Sequence, residues 1–321
     1  MTAEKLSRTP RRRVVLRVAA SIALLMALIA VVPRAELVDA LRRVPYWGWA
    51  LLLCTYLSIH LLGLAKWRTL LVAARTPVPW TAAAQYYYYG LFGNIFLPSV
   101  VGGDAVRFGL AVRGGARAGG ILVGGAVDRF VTIVALTALA ALGAWRLPAG
   151  ADLKQEPILR ATALLLSLAL FAGLAALWLF PARAVPRRLR RTLIDMRRSL
   201  AALSRRPATI LFTLTIALTM QGCLVGLCAL LSTALGFSIP FSVWLFVWPL
   251  AKIAAALPIT QGGIGVREAT QVGLFAALGL PTVAALAVGL VFQATVIGGG
   301  LVAGGLALAL SRWAPSRPSE N

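Results

Sequence analysis

Residues 97–107 read LPSVVGGDAVR, and residues 257–267 read LPITQGGIGVR. Six of the eleven positions are identical, and the separation of 160 residues is about half of the 321-residue chain. This spacing predicts two copies of one structural unit, pseudo-repeats of about 1–157 and 158–321 within a single transmembrane domain, 1–321. Paired Gly and Pro interruptions in corresponding halves are also typical of a transporter's binding site. The alternative is a chance match in a chain rich in Gly and Ala.

The composition is that of a polytopic membrane protein. The chain is 60% hydrophobic and 13% charged, its mean hydropathy is +0.84, and its uncharged runs are longer than a soluble core requires. The net charge of +22 lies mostly between the apolar runs, where the positive-inside rule places Lys and Arg, so topology accounts for it without a nucleic-acid partner. Cys54, Cys223 and Cys228 lie inside apolar runs without metal-ligand spacing, which predicts buried, unreactive thiols.

The alternation of apolar runs and basic connectors predicts a topology. Basic residues precede residues 14–32, which predicts a retained signal-anchor helix and a cytoplasmic N-terminus. Further spans are predicted at 47–65, at 119–145, at 161–180, from Pro207 onward and at 282–310. A cytoplasmic loop is predicted to hold Lys66, Trp67, Arg68 and Arg75. The nine arginines between residues 183 and 206 are predicted to be cytoplasmic and to lie on anionic lipid.

The two repeated phrases are predicted to lie in re-entrant helical hairpins, one from 80 to about 117 and the other at 258–280. If residues 80–97 crossed the membrane fully, the arginine-rich segment would fall outside, against the positive-inside rule. The predicted fold class is therefore all-α, an inverted repeat with about six spanning helices and two re-entrant hairpins. Eight full spans are the alternative. With three spans and one hairpin in each half, the second half is inverted and both termini are cytoplasmic.

Charged residues cluster at the breaks in the apolar sequence. The clusters are Asp104 with Arg107, Asp128 with Arg129, Arg267 with Glu268, and Lys252 alone. Inserting a charged side chain at membrane depth costs roughly 2.5–3.5 kcal/mol of free energy, so each one is expected to form an ion pair, to contact water or to have a function. Ion pairing of Asp128 and Glu268 is favoured over proton coupling.

Each repeated phrase also offers an anion-binding site. Two adjacent glycines expose backbone N–H groups, a helix is predicted to begin there, and an arginine lies in its first turn. A lipid phosphate suits such a place, and the predicted binding residues are Gly102, Gly103, Arg107, Lys252, Thr260, Gln261, Gly262, Gly263 and Arg267, with helix breaks at Pro98 and Pro258. The alternative stays open that the charges hold the broken helices together, Arg107 to Asp104 and Arg267 to Asp128 or Glu268.

Other conspicuous residues are better explained by packing. His60, the only histidine, lies in the second predicted span and is expected to pack there rather than to relay protons. Tyr86–Tyr89 covers every face of a helical turn, which favours packing over a cage for a cationic headgroup. No nucleotide-binding loop, catalytic triad or metal-ligand cluster is recognisable, so neither catalysis by the chain alone nor a cofactor is expected.

The motifs resemble those of the lysylphosphatidylglycerol synthase transmembrane-region family, the flippase-like domain also found at the N-terminus of the bacterial multiple peptide resistance factor. The resemblance rests on Asn94, Leu97-Pro98, Gly102-Gly103-Asp104 and Arg107, on Asp128-Arg129, and on Leu257-Pro258-Ile259-Thr260, Gly262-Gly263, Gly265 and Arg267-Glu268. It covers nearly the whole chain. Two positions depart from the family pattern, Thr260 where Ser is usual and Asp128 where Glu is commoner.

The resemblance implies movement of lipids across the bacterial inner membrane. Substrates proposed for the family run from aminoacylated phosphatidylglycerol to polyprenyl-linked or hopanoid lipids, and this chain lacks the aminoacyl-transfer domain of the fused proteins. The expected function is therefore a translocase for an anionic, phosphate-containing lipid made by another enzyme. The rival hypothesis is a non-transporting membrane subunit that holds a lipid synthase or glycosyltransferase through the segment 183–206.

Overall fold

The computed structural model describes residues 22–23, 26–30, 33–97, 101–147, 187–256, 260 and 262–313, and these are helical with short connections. The helices bounded within these residues are α1 (Arg34–Arg42), α2 (Tyr46–Ala73), α3 (Trp80–Phe96), α4 (Val101–Arg113), α5 (Ala118–Trp145), α6 (Arg187–Ser204), α7 (Pro207–Ala234), α8 (Phe241–Ala255), α9 (Val266–Ala277) and α10 (Thr282–Trp313). The predicted span at 161–180 and most of the span at 14–32 lie outside the described residues, as do Pro98, Pro258 and Gln261.

Four of these helices, α2, α5, α7 and α10, are long and apolar enough to cross a membrane. Helix α8 is apolar but shorter. The sequence predicted spans at all four long helices, and the chain is an all-helical, multi-pass membrane protein.

Helix α2 differs from the predicted span in its length. The prediction ended it at residue 65 and placed Lys66, Trp67 and Arg68 in a loop, whereas the helix continues to Ala73. Lys66 and Trp67 are buried, with 3% and 2% of their surface exposed. The loop prediction was wrong because a Lys, a Trp and an Arg together resemble a membrane boundary, although a buried carboxylate partner allows Lys66 to lie deep in the bundle.

Helices α3 and α4 form the first hairpin, and α8 and α9 form the second. In the first hairpin, the backbone N–H of Gly103 donates to the side-chain oxygen of Asn94 at 2.9 Å. A Cβ atom on Gly90 would lie 2.6 Å from Cγ of Arg107, so the missing side chain lets the two helices approach closely. In the second hairpin, the rings of Trp244 and Phe275 lie 5.0 Å apart at the open ends.

Each hairpin packs against the long helix that follows the other hairpin. Helix α8 packs on α5, where a Cβ atom on Gly143 would lie 2.4 Å from the backbone nitrogen of Phe246. Helix α3 packs on α10, where Cβ atoms on Gly300 and Gly304 would each lie 2.6 Å from a side chain of α3. Helices α2 and α7 pack together between these two pairs. This reciprocal packing brings both hairpins to the centre of the bundle.

Helix α6 carries the arginine-rich sequence and packs on α5. Its Ser199 and Leu203 are buried, while Arg190, Arg191 and Arg198 are exposed. Gly119 of α5 provides the contact, since a Cβ atom there would lie 2.6 Å from the backbone nitrogen of Met196. The helix is therefore amphipathic, with an exposed basic face.

Replacing Gly143 with Ala is expected to lower the free energy of unfolding by about 1–3 kcal/mol, because the added methyl group meets backbone atoms of α8 that cannot move aside. Gly125, on the same helix, has no atom within 4 Å of the position of its Cβ. Gly125→Ala is therefore the matched control, expected to be neutral or stabilising by up to about 1 kcal/mol through helix propensity. Denaturant titration in detergent micelles measures both variants, and equal effects would contradict the close packing of α5 on α8.

Candidate functional site

A cavity of about 860 Å³ lies at the centre of the bundle, where both hairpins meet the long helices. Its walls are largely apolar and aromatic. The charged side chains that line it are Lys66, Asp104, Arg107, Asp128, Arg129, Lys252 and Arg267. Most charges that the sequence placed at the breaks therefore face one shared space.

The turns of the two hairpins lie close to each other at this cavity. A Cβ atom on Gly262, in the second hairpin, would lie 3.1 Å from the backbone carbonyl oxygen of Asn94 in the first. Gly262 and Asn94 both line the cavity. The two repeated phrases, 160 residues apart in sequence, therefore contribute to one site.

In the first half, Asp104 is shared by two arginines. Arg107 forms an ion pair with it one turn away on α4, as the sequence spacing predicted. Arg129 reaches it from α5, with a distance of 2.6 Å between its Nε and Oδ2 of Asp104. The sequence did not predict this second bond, because it grouped Arg129 with its neighbour Asp128. The shared carboxylate ties α4 to α5.

Asp128 pairs instead with Lys66. The Nζ atom of Lys66 lies 3.1 Å from Oδ1 of Asp128 and donates to the hydroxyl of Thr132 at 2.6 Å. That hydroxyl in turn donates to the backbone carbonyl of Asp128 at 2.7 Å. This triad joins α2 to α5. Lys66 is the functional residue that the sequence reasoning missed, although an acidic residue deep in α5 was itself a signal that a cation had to lie nearby.

In the second half, Glu268 serves both Arg267 and the helix end. Arg267 Nη2 lies 2.8 Å from Oε1 of Glu268 and 2.5 Å from the side-chain oxygen of Gln293 on α10. The other carboxylate oxygen accepts the backbone N–H of Gly265 at 2.7 Å, which caps the N-terminus of α9. Of the two partners considered for Arg267, the structure has Glu268. Glu268 is fully buried and both of its oxygens are engaged.

Aromatic rings flank Arg107 and Arg267, the arginines that end the two repeated phrases. The guanidinium carbon of Arg107 lies 5.2 Å from the ring centres of Trp67 and Tyr87. That of Arg267 lies 5.6 Å from Trp248 and 5.1 Å from Phe292. Each guanidinium is thus oriented by one carboxylate and two ring faces, a geometry that cation–π attraction stabilises. Tyr87, within the run Tyr86–Tyr89, contacts an arginine of the protein itself.

His60 lies in the wall between these groups. Its Nδ1 lies 3.0 Å from the hydroxyl of Tyr87, and its ring centre lies 4.4 Å from that of Tyr56. The residue is buried and hydrogen-bonded, which fits the packing role favoured by the sequence.

Lys252 is bound differently from the other cations. Its Nζ donates to the side-chain oxygen of Gln221 at 2.9 Å and lies 6.0 Å from the ring centre of Trp248. Among the described residues, Lys252 forms no ion pair with a carboxylate. Five cationic side chains, Lys66, Arg107, Arg129, Lys252 and Arg267, stand against three acidic ones, Asp104, Asp128 and Glu268, within the described part of this site. The formal excess is two positive charges.

A model of the lysylphosphatidylglycerol synthase TM region matches residues 14–304. The chain belongs to this family. No curated protein and no solved structure matches it. The suspected family is therefore confirmed, and each of the motifs that suggested it has members in the cavity lining: Asn94, Asp104 and Arg107, then Asp128 and Arg129, then Gly262 and Arg267.

The first family motif differs from its predicted geometry. Gly102 and Gly103 lie within the first turn of α4, and the N–H of Gly103 is already taken by Asn94. Gly103 therefore allows close packing of α4 on α3, and its N–H is engaged within the hairpin, while the anion-binding role of this glycine pair stays a prediction. The Gly-Gly pair was ambiguous in sequence because glycine suits both an open turn and a close helix contact.

The later motif retains an open turn. Gly262 and Gly263 have φ angles of 59° and 77°, which favour glycine, and they precede α9. Thr260 is buried, and its hydroxyl forms no hydrogen bond to a residue that the structure describes. Gly262 and Ile264 of this turn line the cavity.

The cysteines also depart in part from expectation. Cys228 is buried, as predicted, whereas Cys54 and Cys223 are exposed. Apolar sequence in a membrane protein faces lipid as well as the core, so hydropathy alone does not separate the two.

Replacing Lys66 with Met is expected to lower the free energy of unfolding by about 3–5 kcal/mol, because Asp128 would remain buried without its cation. The double variant Lys66→Met with Asp128→Asn is expected to recover most of that loss, since no unpaired charge remains. Denaturant titration of the two single variants and the double variant gives the coupling energy. Additive effects would show that the 3.1 Å pair does not act as a unit.

Proposed function

We propose that the protein is a lipid translocase that moves an anionic, phosphate-containing lipid across the bacterial inner membrane, with both termini in the cytoplasm. The observation that carries this proposal is Lys252, which faces a large central cavity and has only neutral partners among the described residues. The proposal assigns transport to the chain and no catalysis.

The charge balance of the cavity favours an anionic ligand. Ionised side chains buried in apolar surroundings are costly unless they are compensated. Arg107, Arg129, Lys66 and Arg267 have carboxylate partners: Lys66–Asp128 and Arg129–Asp104 join neighbouring helices, whereas Arg107–Asp104 and Arg267–Glu268 each lie within one helix. Lys252 has none among the described residues, and a phosphate oxygen would complete its coordination.

The second hairpin provides the surroundings that a phosphate requires. Gly262 of its turn and Arg267 line the same cavity as Lys252, and both cationic side chains lie within about 6 Å of the ring centre of Trp248, at 6.0 Å for Lys252 and 5.6 Å for Arg267. Arg267 is oriented by Glu268 and Gln293, and its remaining N–H groups are available for a ligand. In this proposal Lys252 binds the phosphate directly, while Arg107 and Arg267 contribute positive electrostatic potential around it.

The packing pattern supports a repeat of two equivalent halves. Helices α3, α4 and α5 correspond in the repeat to α8, α9 and α10, and the pairs α3–α10 and α8–α5 are equivalent under the exchange of halves. In transporters of repeated design, substrate sites lie at the repeat interface, and one half moves against the other around the site. We infer the same arrangement here, with alternate exposure of the cavity to the two sides.

Proteoliposomes that contain fluorescent anionic lipids test the proposal through the rate of leaflet exchange. Lys252→Gln is expected to reduce exchange by roughly 10-fold to 100-fold, the equivalent of one lost charge-assisted hydrogen bond. Lys252→Arg, which keeps the charge, is the matched control and is expected to retain most of the rate. Arg107→Ala and Arg267→Ala, verified as folded, are expected to slow exchange too.

The scaffold hypothesis gives the opposite pattern. Exchange absent for every lipid, together with recovery of a lipid-modifying enzyme that depends on Arg190 and Arg191 of α6, would replace transport with a scaffolding role. Translocation predicts that Arg190→Gln with Arg191→Gln leaves the exchange rate nearly unchanged, because both side chains are exposed and lie outside the cavity lining.

A further inference from the structure

One face of α5 lines the cavity over its C-terminal half and changes in polarity along its length. It begins with Asp128 and Arg129, continues with Thr132, and ends with a set that is apolar except for Thr137, namely Ile133, Leu136, Ala140, Ala141, Ala144 and Trp145. Residues 133–145 span about 18 Å at 1.5 Å per helical residue. The apolar depth of one membrane leaflet is roughly 15 Å, half of the hydrocarbon core.

Helix α9 changes in the same order and in the same direction. Its cavity-lining residues run from Arg267 through Thr270 to Leu274. The apolar ends of α5 and α9 lie at the same end of the bundle, because α8 contacts both of them there. A Cβ atom on Gly143 of α5 would meet the α8 backbone at Phe246, and Phe275 of α9 packs on Trp244 of α8.

Helices α5 and α9 form separate walls of the cavity. Within the described chain, α9 packs on α8 and α10, and α5 packs on α2, α4, α6, α7 and α8, while no extended packing joins α5 to α9. Ala141 and Trp145 line the cavity and are exposed among the described residues. The space between the C-terminal halves of α5 and α9, here called the trough, is therefore largely apolar, and in the described part of the structure it is open at its surface.

We propose that the trough holds a hydrocarbon chain of the transported lipid while its phosphate occupies the charged end near Lys252. This inference rests on the proposed function and adds a chain-binding subsite to it. The continuity of the charged and apolar parts within one cavity carries it, since an amphiphile is complementary to both ends at once. A lipid with at least one long chain is then the substrate class, and the headgroup alone is a poor ligand.

Photocrosslinking tests the position of the chain directly. A benzophenone side chain is placed at Thr137, which lines the cavity, or at the adjacent Ala138, which is exposed on the helix surface away from it. The probes are two lipids with identical radiolabelled chains, one with a phosphatidylglycerol and one with a phosphatidylcholine headgroup. Labelling from Thr137 is expected to favour the anionic lipid and to lose that preference in Lys252→Gln, whereas labelling from Ala138 is expected to show no preference.

Labelling that depends on the headgroup equally at Thr137 and Ala138 would overturn the proposal that the trough holds a lipid chain. Crosslinks from Thr137 to the chain's own residues 148–186 would also overturn it, because a protein segment would then fill the space. These results leave translocation intact if leaflet exchange proceeds. Selective labelling from Thr137 without any exchange would retain the trough as a lipid-binding site and reject transport.

A size substitution gives an independent functional check. Ala141→Trp is expected to slow exchange of long-chain lipid about tenfold by filling the trough, an effect typical of volume changes in an apolar pocket. Ala138→Trp, the same exchange three residues away on the exposed face, is the matched control and is expected to stay within about twofold. Equal rates for the two variants would contradict the inference.

Discussion

The structure depends on ion pairs between charges that are buried among apolar helices. Lys66 with Asp128 joins α2 to α5, and Asp104 with Arg129 joins the first hairpin to α5. Unpaired, each of these groups would cost several kcal/mol at membrane depth. The pairs therefore hold α2, α4 and α5 together, and charges from both hairpins line one cavity.

Much of the fold could be predicted from the sequence, because two simple patterns indicate where the helices and the turns lie. Long apolar runs marked the long helices, although Asp128 and Arg129 interrupt the run of α5, and the repeated Pro and Gly-Gly phrase marked the hairpin turns. Lys66 could not be predicted, because its partner Asp128 lies 62 positions away in the chain and only tertiary packing brings the two together. The glycines show the same limit, since Gly103 serves a helix contact while Gly263 serves a turn with positive φ.

The sequence predicted which residues line the candidate site better than it predicted what each residue does there. The arginines of both phrases line the cavity as expected, yet each is held by a carboxylate and by aromatic rings. Both readings of these charges are thus compatible, because a guanidinium fixed by its own ion pair is also oriented for a ligand. Lys252 was one of several predicted phosphate-binding residues. It is central to the proposed site because its partners among the described residues are neutral. Charge type is visible in sequence, whereas charge compensation is a property of the folded site.

The proposed translocation requires a lipid phosphate at Lys252, inside the cavity. Cryo-electron microscopy of the protein in nanodiscs rich in phosphatidylglycerol can locate that phosphate. Phosphate density is expected inside the cavity, within about 3 Å of Nζ of Lys252, with chain density extending between α5 and α9. Lipid density confined to the outer surface of the helices, with Lys252 bound to a carboxylate of the protein, would rule out phosphate binding at this site.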